Sequence, residues 1–253
     1  MEFIQLERDN ELLILKLARG KANALNAVMI EELISACDDA AADTTIRGMV
    51  LASDRPKFFS SGFDVAEVFA YDRDAMSAFF GRFIDLYEKL LRLPKPVVAA
   101  VNGHAFAGGA VLALVCDERV FGAGEFGFAL NEVNLGVVLT PGVIRGAMEA
   151  MKGGAARELI LAGRTLTPAQ ALETGLAHEL TPSELTLERA VARARELASK
   201  PPQAFAAIKQ LFLQTAGHPV TGDDRLALGQ FIAHWFSPEA IERKLALIAG
   251  MRK

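Results

Sequence analysis

The chain has 253 residues, of which 51% are hydrophobic and 23% are charged, enough apolar material for a full core. Its formal net charge of −4 does not attract phosphate backbones or anionic lipid surfaces, which argues against nucleic acid and membranes as partners. A small-molecule ligand is therefore expected.

Cysteine usage and the N-terminus both favour a cytoplasmic location. The two cysteines, Cys37 and Cys116, lie in apolar segments without metal-like spacing, which is typical of buried thiols in a reducing compartment. The first residues, MEFIQLERDN, lack the order of a secretory signal. Glycines, Asn102 and His104 interrupt the apolar run 96–116, so we expect a strand, a loop and a helix there rather than a membrane span.

The first half of the chain alternates strands with helices. Residues 2–9 and 11–17 show partial alternation and predict a hairpin that turns at Asp9-Asn10. The remaining patterns predict, in chain order, a helix over 27–43 capped by Asn26, a strand over 46–53, a helix over 73–93 that stops before Pro94 and Pro96, a strand over 97–101, a glycine-rich turn, a helix through Leu114, and a strand over 118–123. This order predicts an α/β core.

The last third of the chain is predicted to be mostly helical. A short strand is expected over 177–180, and capped helices are expected to follow Thr140-Pro141, Thr167-Pro168 and Pro201-Pro202. The amphipathic stretch 224–251 could either cover the functional site or pack against another subunit. The sequence leaves that choice open.

Two glycine-containing turns, 58–68 and 102–114, stand where a strand meets a helix. The first amides of a helix have no intrahelical acceptor and lie at the positive end of its dipole, so such turns suit an anion or a developing oxyanion. Two donors from different turns would make one oxyanion hole. The alternative, that the glycines only allow tight turns and close packing, stays open. Neither turn matches a phosphate-binding loop.

Glu132 is a lone carboxylate inside the segment 130-LNEVNLGVV-138. Burying a charge among apolar residues is costly unless it is paired or has a chemical task, so Glu132 is either an ion-pair partner or a catalytic group. A serine nucleophile, Ser60 or Ser61 with His104 as base, lacks the GxSxG elbow. The histidines show no HExxH spacing, and no metal site is predicted.

Four motifs occur in order along essentially the whole chain: 21-KANALN-26, 59-FSSGFD-64, 94-PKPVVAAVNGHAFAGG-109 and 116-CDERVF-121. This arrangement resembles the crotonase superfamily of enoyl-CoA hydratases and isomerases. The resemblance implies an α/β fold, the crotonase (ClpP-like) spiral of β-β-α units, over residues 1–195, and a C-terminal helical region for trimerisation or as a lid over residues 196–253. It also implies a homotrimer or a dimer of trimers.

The same resemblance assigns site residues. The oxyanion donors fall on the backbone amides of Phe63 and Gly108, which would hold the thioester oxygen of an acyl-CoA. The substrate and CoA path falls on Lys21, Ala22, Ala24, Ser61, Gly62, Asp64, Val65, Gly109 and Val111. Lys21 could equally be a solvated loop charge, and Asp64 is better suited to a helix cap than to catalysis. CoA enters as part of the substrate, so no separate cofactor is expected.

Hydratases of this family pair two glutamates, and here the first position is Val111 while the second is Glu132. The single glutamate resembles isomerases that move a double bond from the 3 to the 2 position, with Glu132 as sole acid and base. We expect its apolar surroundings to raise its pKa. Two alternatives stay open: a hydratase or another crotonase-type lyase or hydrolase, and a non-catalytic acyl-CoA-binding or scaffold protein.

Overall fold

Two β-sheets organise the part of the chain that the computed structural model describes, residues 1–217 and 223–251. The larger sheet has six strands in the order β1-β2-β3-β5-β7-β9, antiparallel between β1 and β2 and parallel elsewhere. Its strands are β1 (Ile4–Asp9), β2 (Leu12–Leu17), β3 (Gly48–Ser53), β5 (Val97–Val101), β7 (Glu118–Gly122) and β9 (Glu179–Thr181). Each of them overlaps a strand predicted from the sequence.

The smaller sheet consists of three short parallel strands, β4 (Phe58–Ser60), β6 (His104–Phe106) and β8 (Phe128–Ala129). A strand of the large sheet is followed by one of the small sheet and then by helix three times along the chain. This repeat confirms the predicted crotonase spiral of β-β-α units. The small strands were not predicted, because two or three residues are too few to show an alternating pattern.

Eleven helices lie in the described ranges: α1 (Ala27–Ala42), α2 (Val65–Val68), α3 (Arg73–Arg92), α4 (Gly108–Leu114), α5 (Pro141–Ala150), α6 (Ala155–Leu161), α7 (Pro168–Thr174), α8 (Thr186–Ala198), α9 (Pro202–Thr215), α10 (Asp223–Trp235) and α11 (Pro238–Met251). Asn26 caps α1 by accepting the Met29 N–H, as predicted. Thr140 precedes α5 but makes no side-chain cap, because its hydroxyl hydrogen-bonds Tyr87 instead.

The inner strands of the large sheet, β2, β3, β5 and β7, are buried on both faces, which makes the molecule layered. Alternate residues of β2 divide between the faces: Leu13 and Leu15 enter the main core, while Leu12 and Ile14 enter a second core. Helix α8 covers the second core with small side chains, among them Ala190. The other face of the sheet therefore carries the helices that shape the cavity described below.

The amphipathic stretch 224–251 forms two helices, because the chain breaks at Phe236-Ser237 ahead of Pro238. Phe231 and Trp235 of α10 belong to the main core, so α10 packs on its own chain. The predicted boundary after residue 195 falls inside α8. Trimerisation and lid roles for the helical region stay predictions. No helix in the described ranges is both long and apolar enough to cross a membrane.

Candidate functional site

A cavity of about 550 Å³ lies between the small sheet and the helices α3, α10 and α11. Its wall is mainly apolar and aromatic. Seven of the twelve predicted site residues line it: Ala22, Ser61, Phe63, Val65, Gly108, Val111 and Glu132. The structure thus brings together residues that are far apart in the sequence.

The first two motifs lie side by side as extended chain. The Leu25 N–H donates to Gly62 O at 2.7 Å, and the Asp64 N–H donates to Leu25 O at 2.8 Å. Gly62 has a φ of +88°, and a Cβ there would lie 2.9 Å from Phe106 O, so only glycine fits this position without strain. The turn that carries Phe63 is therefore pressed against the turn that starts α4.

Phe63 and Gly108 are in contact across these two turns. A Cβ on Gly108 would lie 3.1 Å from Phe63 Cε1, and neither residue's N–H donates to another described group. Gly108 is the first residue of α4, where the amide has no intrahelical acceptor. Two N–H groups without an acceptor on adjacent turns are the kind of donors from which an oxyanion hole is built.

Local packing fixes both donors. The Phe63 ring stands edge-on to Phe83, with centroids 4.8 Å apart, and to Phe79 at 5.0 Å. Ala107, just before Gly108, has φ +47° and ψ −123°, a sparsely populated conformation for a residue with a Cβ. Such strain persists only where the surrounding structure enforces it, and it recurs at active sites.

Glu132 begins a short 3-10 turn, Glu132–Leu135, on the cavity wall. Its Oε2 is buried without a hydrogen-bond partner. Burial raises its pKa to about 7, opposed only by a hydrogen bond from its own backbone. No ion pair of Glu132 occurs in the described structure, which removes the ion-pair explanation there.

Val111 lies on α4, faces the same cavity and is 2% exposed. It places an apolar side chain at the position that the family resemblance assigns to the first glutamate of hydratases. Within the described residues, Glu132 is the sole carboxylate on the wall. Asn131 contributes a further polar atom to the wall, because its Oδ1 is also buried without a partner.

The other five predicted site residues lie off the wall. Lys21 is exposed and has no described contact, which favours the solvated-charge interpretation. Asp64 caps α2 through the Ala66 N–H and pairs with Arg19 at 2.6 Å. Ala24 accepts a hydrogen bond from Arg19 through its carbonyl. Gly62 and Gly109 stand where another backbone segment comes too close to leave room for a Cβ. Contacts of all five residues with CoA stay predictions.

Ser60, His104 and the two cysteines are not arranged as a nucleophilic site. Ser60 donates its hydroxyl to Asn23 O at 2.7 Å, and His104 Nδ1 accepts the Gly127 N–H at 3.0 Å, so each is used in the local fold. Cys37 and Cys116 are free and buried, and burial raises the pKa of each thiol to about 12. Both thiols are chemically quiet.

Sequence reasoning missed Lys244, which lines the cavity from α11 and is 7% exposed. Burial lowers its pKa to about 8. The available signal was its spacing, because Ala240, Lys244 and Leu247 share one helical face with the residues that turn inward.

The comparisons with known proteins agree with this architecture. The model of the family "Enoyl-CoA hydratase/isomerase" matches residues 7–236. The 2,3-dehydroadipyl-CoA hydratase of Escherichia coli K12 is 34% identical over 216 residues, covering 85% of this chain and 83% of that protein. Carnitinyl-CoA dehydratase of the same strain is 32% identical over 251 residues, covering 97% and 95%.

Among solved structures, human mitochondrial delta3-delta2-enoyl-CoA isomerase superimposes with a TM-score of 0.93 at 23% identity, covering 99% of this chain and 98% of that chain. At this identity the likeness shows the fold. The family match, the two relatives and the shared fold lead to one conclusion: the chain belongs to the enoyl-CoA hydratase/isomerase family.

Proposed function

We propose that this family member is an enoyl-CoA isomerase that moves a double bond from the 3 to the 2 position. One observation carries the proposal: the described cavity wall holds a single carboxylate, the unpaired Glu132, which shares the lining with the apolar Val111. Hydration needs one group to activate water and another to manage the proton at the neighbouring carbon. Double-bond migration needs one base that returns the proton it removed.

In the proposed reaction, the Glu132 carboxylate removes a proton from C2 of the substrate. The C–H electrons move into the conjugated system and the thioester oxygen becomes a dienolate oxygen, which accepts hydrogen bonds from the Phe63 and Gly108 N–H groups. Protonated Glu132 then delivers the proton to C4, and the double bond is left between C2 and C3. The enzyme regains its starting protonation state.

The electrostatics of Glu132 suit both halves of this cycle. A pKa of about 7 leaves a large ionised fraction at neutral pH, while the protonated form is stable enough to exist during the reaction. The oxyanion donors lower the barrier by stabilising charge that develops only in the transition state. Losing one such donor costs on the order of a hundredfold or more in rate.

For the CoA portion, we place its path along Ala22, Ser61 and Val65 on the wall, with Lys21, Ala24, Gly62, Asp64 and Gly109 in the adjoining turns. Two further features complete the proposal. Three apolar side chains of α9, Ile208, Leu211 and Phe212, are 60–65% exposed, which supports a homotrimer or dimer of trimers. The free, buried thiols suit a reducing compartment such as the cytoplasm.

Hydration is the second candidate. The names of the two bacterial relatives favour it, and the unpartnered Asn131 Oδ1 beside Glu132 is a group that could hold a water. An amide cannot act as acid or base near neutral pH, so Glu132 would have to perform both proton transfers alone.

The deciding experiment follows purified protein and its Glu132→Gln variant with a 3-enoyl-CoA and, separately, with a 2-enoyl-CoA. We expect conjugated product from the first substrate, negligible hydrated product from the second, and a rate loss in the variant of about 10²- to 10⁴-fold. Glu125→Gln, at an exposed position of the same segment, is the matched control and should retain activity. Hydration by the unmodified protein would instead favour the second candidate. Binding without turnover of either substrate would indicate a non-catalytic acyl-CoA binder.

A further inference from the structure

Lys244 is a buried ammonium whose charge has no carboxylate partner among the described residues. It donates one hydrogen bond, to Trp235 O at 2.6 Å, and it lies 3.9 Å from the centroid of the Trp235 ring. Phe69 and Phe236 are further aromatic neighbours, at 5.3 and 5.8 Å. Burial alone accounts for its lowered pKa, with no charged group contributing.

Part of this environment is structural. Trp235 is the last residue of α10, and a lysine that donates to a terminal carbonyl is favoured at the negative end of the helix dipole. That bond uses one of the three ammonium donors. The aromatic faces attract the cation but accept no strong hydrogen bond, so two donors have no protein acceptor in the described structure.

The position of Lys244 connects this ammonium with the proposed catalytic site. Helix α11 packs on the 3-10 turn that begins with Glu132: a Cβ on Gly136 would lie 3.4 Å from Ala240 Cα, and Arg243 donates to Asn134 O at 3.2 Å. Lys244 follows Ala240 by one helical turn, and both Lys244 and Glu132 line the one cavity. No hydrogen bond or ion pair joins Lys244 to Glu132 in the described structure, so the two groups are not in direct contact.

We infer that Lys244 recognises an anionic group at the distal end of the acyl chain, so that the substrates of this protein are ω-carboxyacyl-CoA thioesters or chains with a similarly placed anion. The inference rests on the proposed function, because it requires the acyl chain to occupy this cavity. A methyl-terminated chain would cover the ammonium and leave it without a counter-ion, which is costly in a desolvated site. A terminal carboxylate would accept the free donors and neutralise the charge.

Binding of unreactive ligands tests the inference without depending on catalysis. Saturated acyl-CoA thioesters of increasing length, each in a methyl-ended and a carboxylate-ended form, are titrated calorimetrically into the protein. At the chain length that spans the cavity, we expect the carboxylate-ended form to bind on the order of 10- to 100-fold more tightly. In Lys244→Met this preference should vanish or reverse, while the methyl-ended form binds at least as well as before.

Lys200→Met, which removes an exposed lysine elsewhere, is the matched control and should keep the preference. Equal binding of both forms by the unmodified protein at every length would overturn the inference and leave the proposed function standing. A Lys244→Met variant that loses both forms equally would show a purely structural lysine. If the unmodified protein binds neither form, the proposed function itself fails. If the Lys244→Met variant does not fold, the comparison of methyl-ended with carboxylate-ended ligands in the unmodified protein still tests the inference.

Discussion

At the scale of single residues, Glu132 links the proposed chemistry to a cost in stability. A carboxyl with a pKa of about 7 in the folded protein and an ordinary value in the unfolded chain binds more protons when folded at any pH between the two. Stability from this group is therefore full at low pH and is lost as pH rises through that interval. At the pH where Glu132 would work as a base, its buried carboxylate therefore lowers the stability of the folded protein.

This gives a signed prediction for Glu132→Gln. The neutral amide cannot ionise, so the variant should gain stability relative to the unmodified protein as pH rises, by on the order of 3 kcal/mol between about pH 4.5 and pH 8. Urea unfolding at several pH values measures this difference. A difference that is independent of pH would show that Glu132 has an ordinary pKa.

Single residues also show how far the sequence could predict the site. Glu132 was predictable because a lone carboxylate in an apolar run is conspicuous without coordinates. The contact between Phe63 and Gly108 was reached only through the family resemblance, because spacing cannot show that two turns face each other. Lys244 was missed because a lysine on an amphipathic helix is expected on the solvent side, and only tertiary packing turns it inward.

At the scale of elements, the proposed oxyanion hole depends on how closely α4 approaches the strand β4. A Cβ on Gly109 would lie 2.6 Å from Ser60 Cβ and still closer to Ser60 O. A Cβ on Gly108 would meet the Phe63 ring at 3.1 Å, a tight contact that a side chain can relieve.

Gly109→Ala should therefore displace α4 and separate the two donors, lowering the isomerisation rate by on the order of a hundredfold or more. Gly108→Ala is the comparison and should be milder, since only the side-chain rings of Phe63 and Phe83 must shift. Steady-state kinetics with circular dichroism as a folding check distinguishes the two. Equal rate losses in the two variants would contradict the conclusion that the backbone of Ser60 limits how closely α4 approaches β4.

A buried network of hydrogen bonds connects helix α10 to the wall of the cavity. Asp224 accepts the Tyr87 hydroxyl at 2.5 Å and the Gly142 N–H at 2.6 Å, joining α10 to α3 and α5. Burial first, and then the neighbouring Asp224 carboxylate, raise the pKa of Tyr87, so its hydroxyl stays protonated and donates. Tyr87 also lines the cavity, so this network fixes part of its wall.

Tyr87→Phe should destabilise the protein by about 1–3 kcal/mol, because it leaves a buried carboxylate oxygen without its donor. Tyr71→Phe, which removes a hydroxyl that bonds the less buried Glu67, is the matched control and should cost less. Denaturant unfolding measures both. If Tyr87→Phe lowers the free energy of unfolding no more than Tyr71→Phe does, the network adds nothing to stability.

The strands and helices also show which parts of the fold a sequence pattern cannot predict. The strands of the large sheet, three to six residues long, were found because an apolar run or a partial alternation is bounded by turn signals in each of them. The strands of the small sheet are defined by their partners rather than by their own composition. The break between α10 and α11 lies at a serine-proline step within one continuous apolar periodicity, which conceals it.

At the scale of the whole molecule, α9 carries a stripe of exposed apolar side chains. Leu213 is the buried residue of this helix, whereas Ile208, Leu211 and Phe212 lie on one exposed stripe at i, i+3 and i+4 spacing. An amphipathic helix normally turns its apolar stripe inward. An outward stripe is typical of a surface that another subunit covers.

Phe212→Glu should therefore dissociate the proposed homo-oligomer. A charge at the centre of an apolar interface would be desolvated without a partner, and across a symmetric assembly the penalty recurs at every subunit contact. Sedimentation velocity should shift from the oligomer toward the monomer, while Gln210→Glu, also exposed on α9 but off the stripe, should leave the mass unchanged. Because Glu132, Phe63 and Gly108 come together within a single chain, the dissociated variant should still bind acyl-CoA. A loss of binding together with dissociation would show that a neighbouring subunit completes the site, and an unchanged mass would remove α9 from the interface.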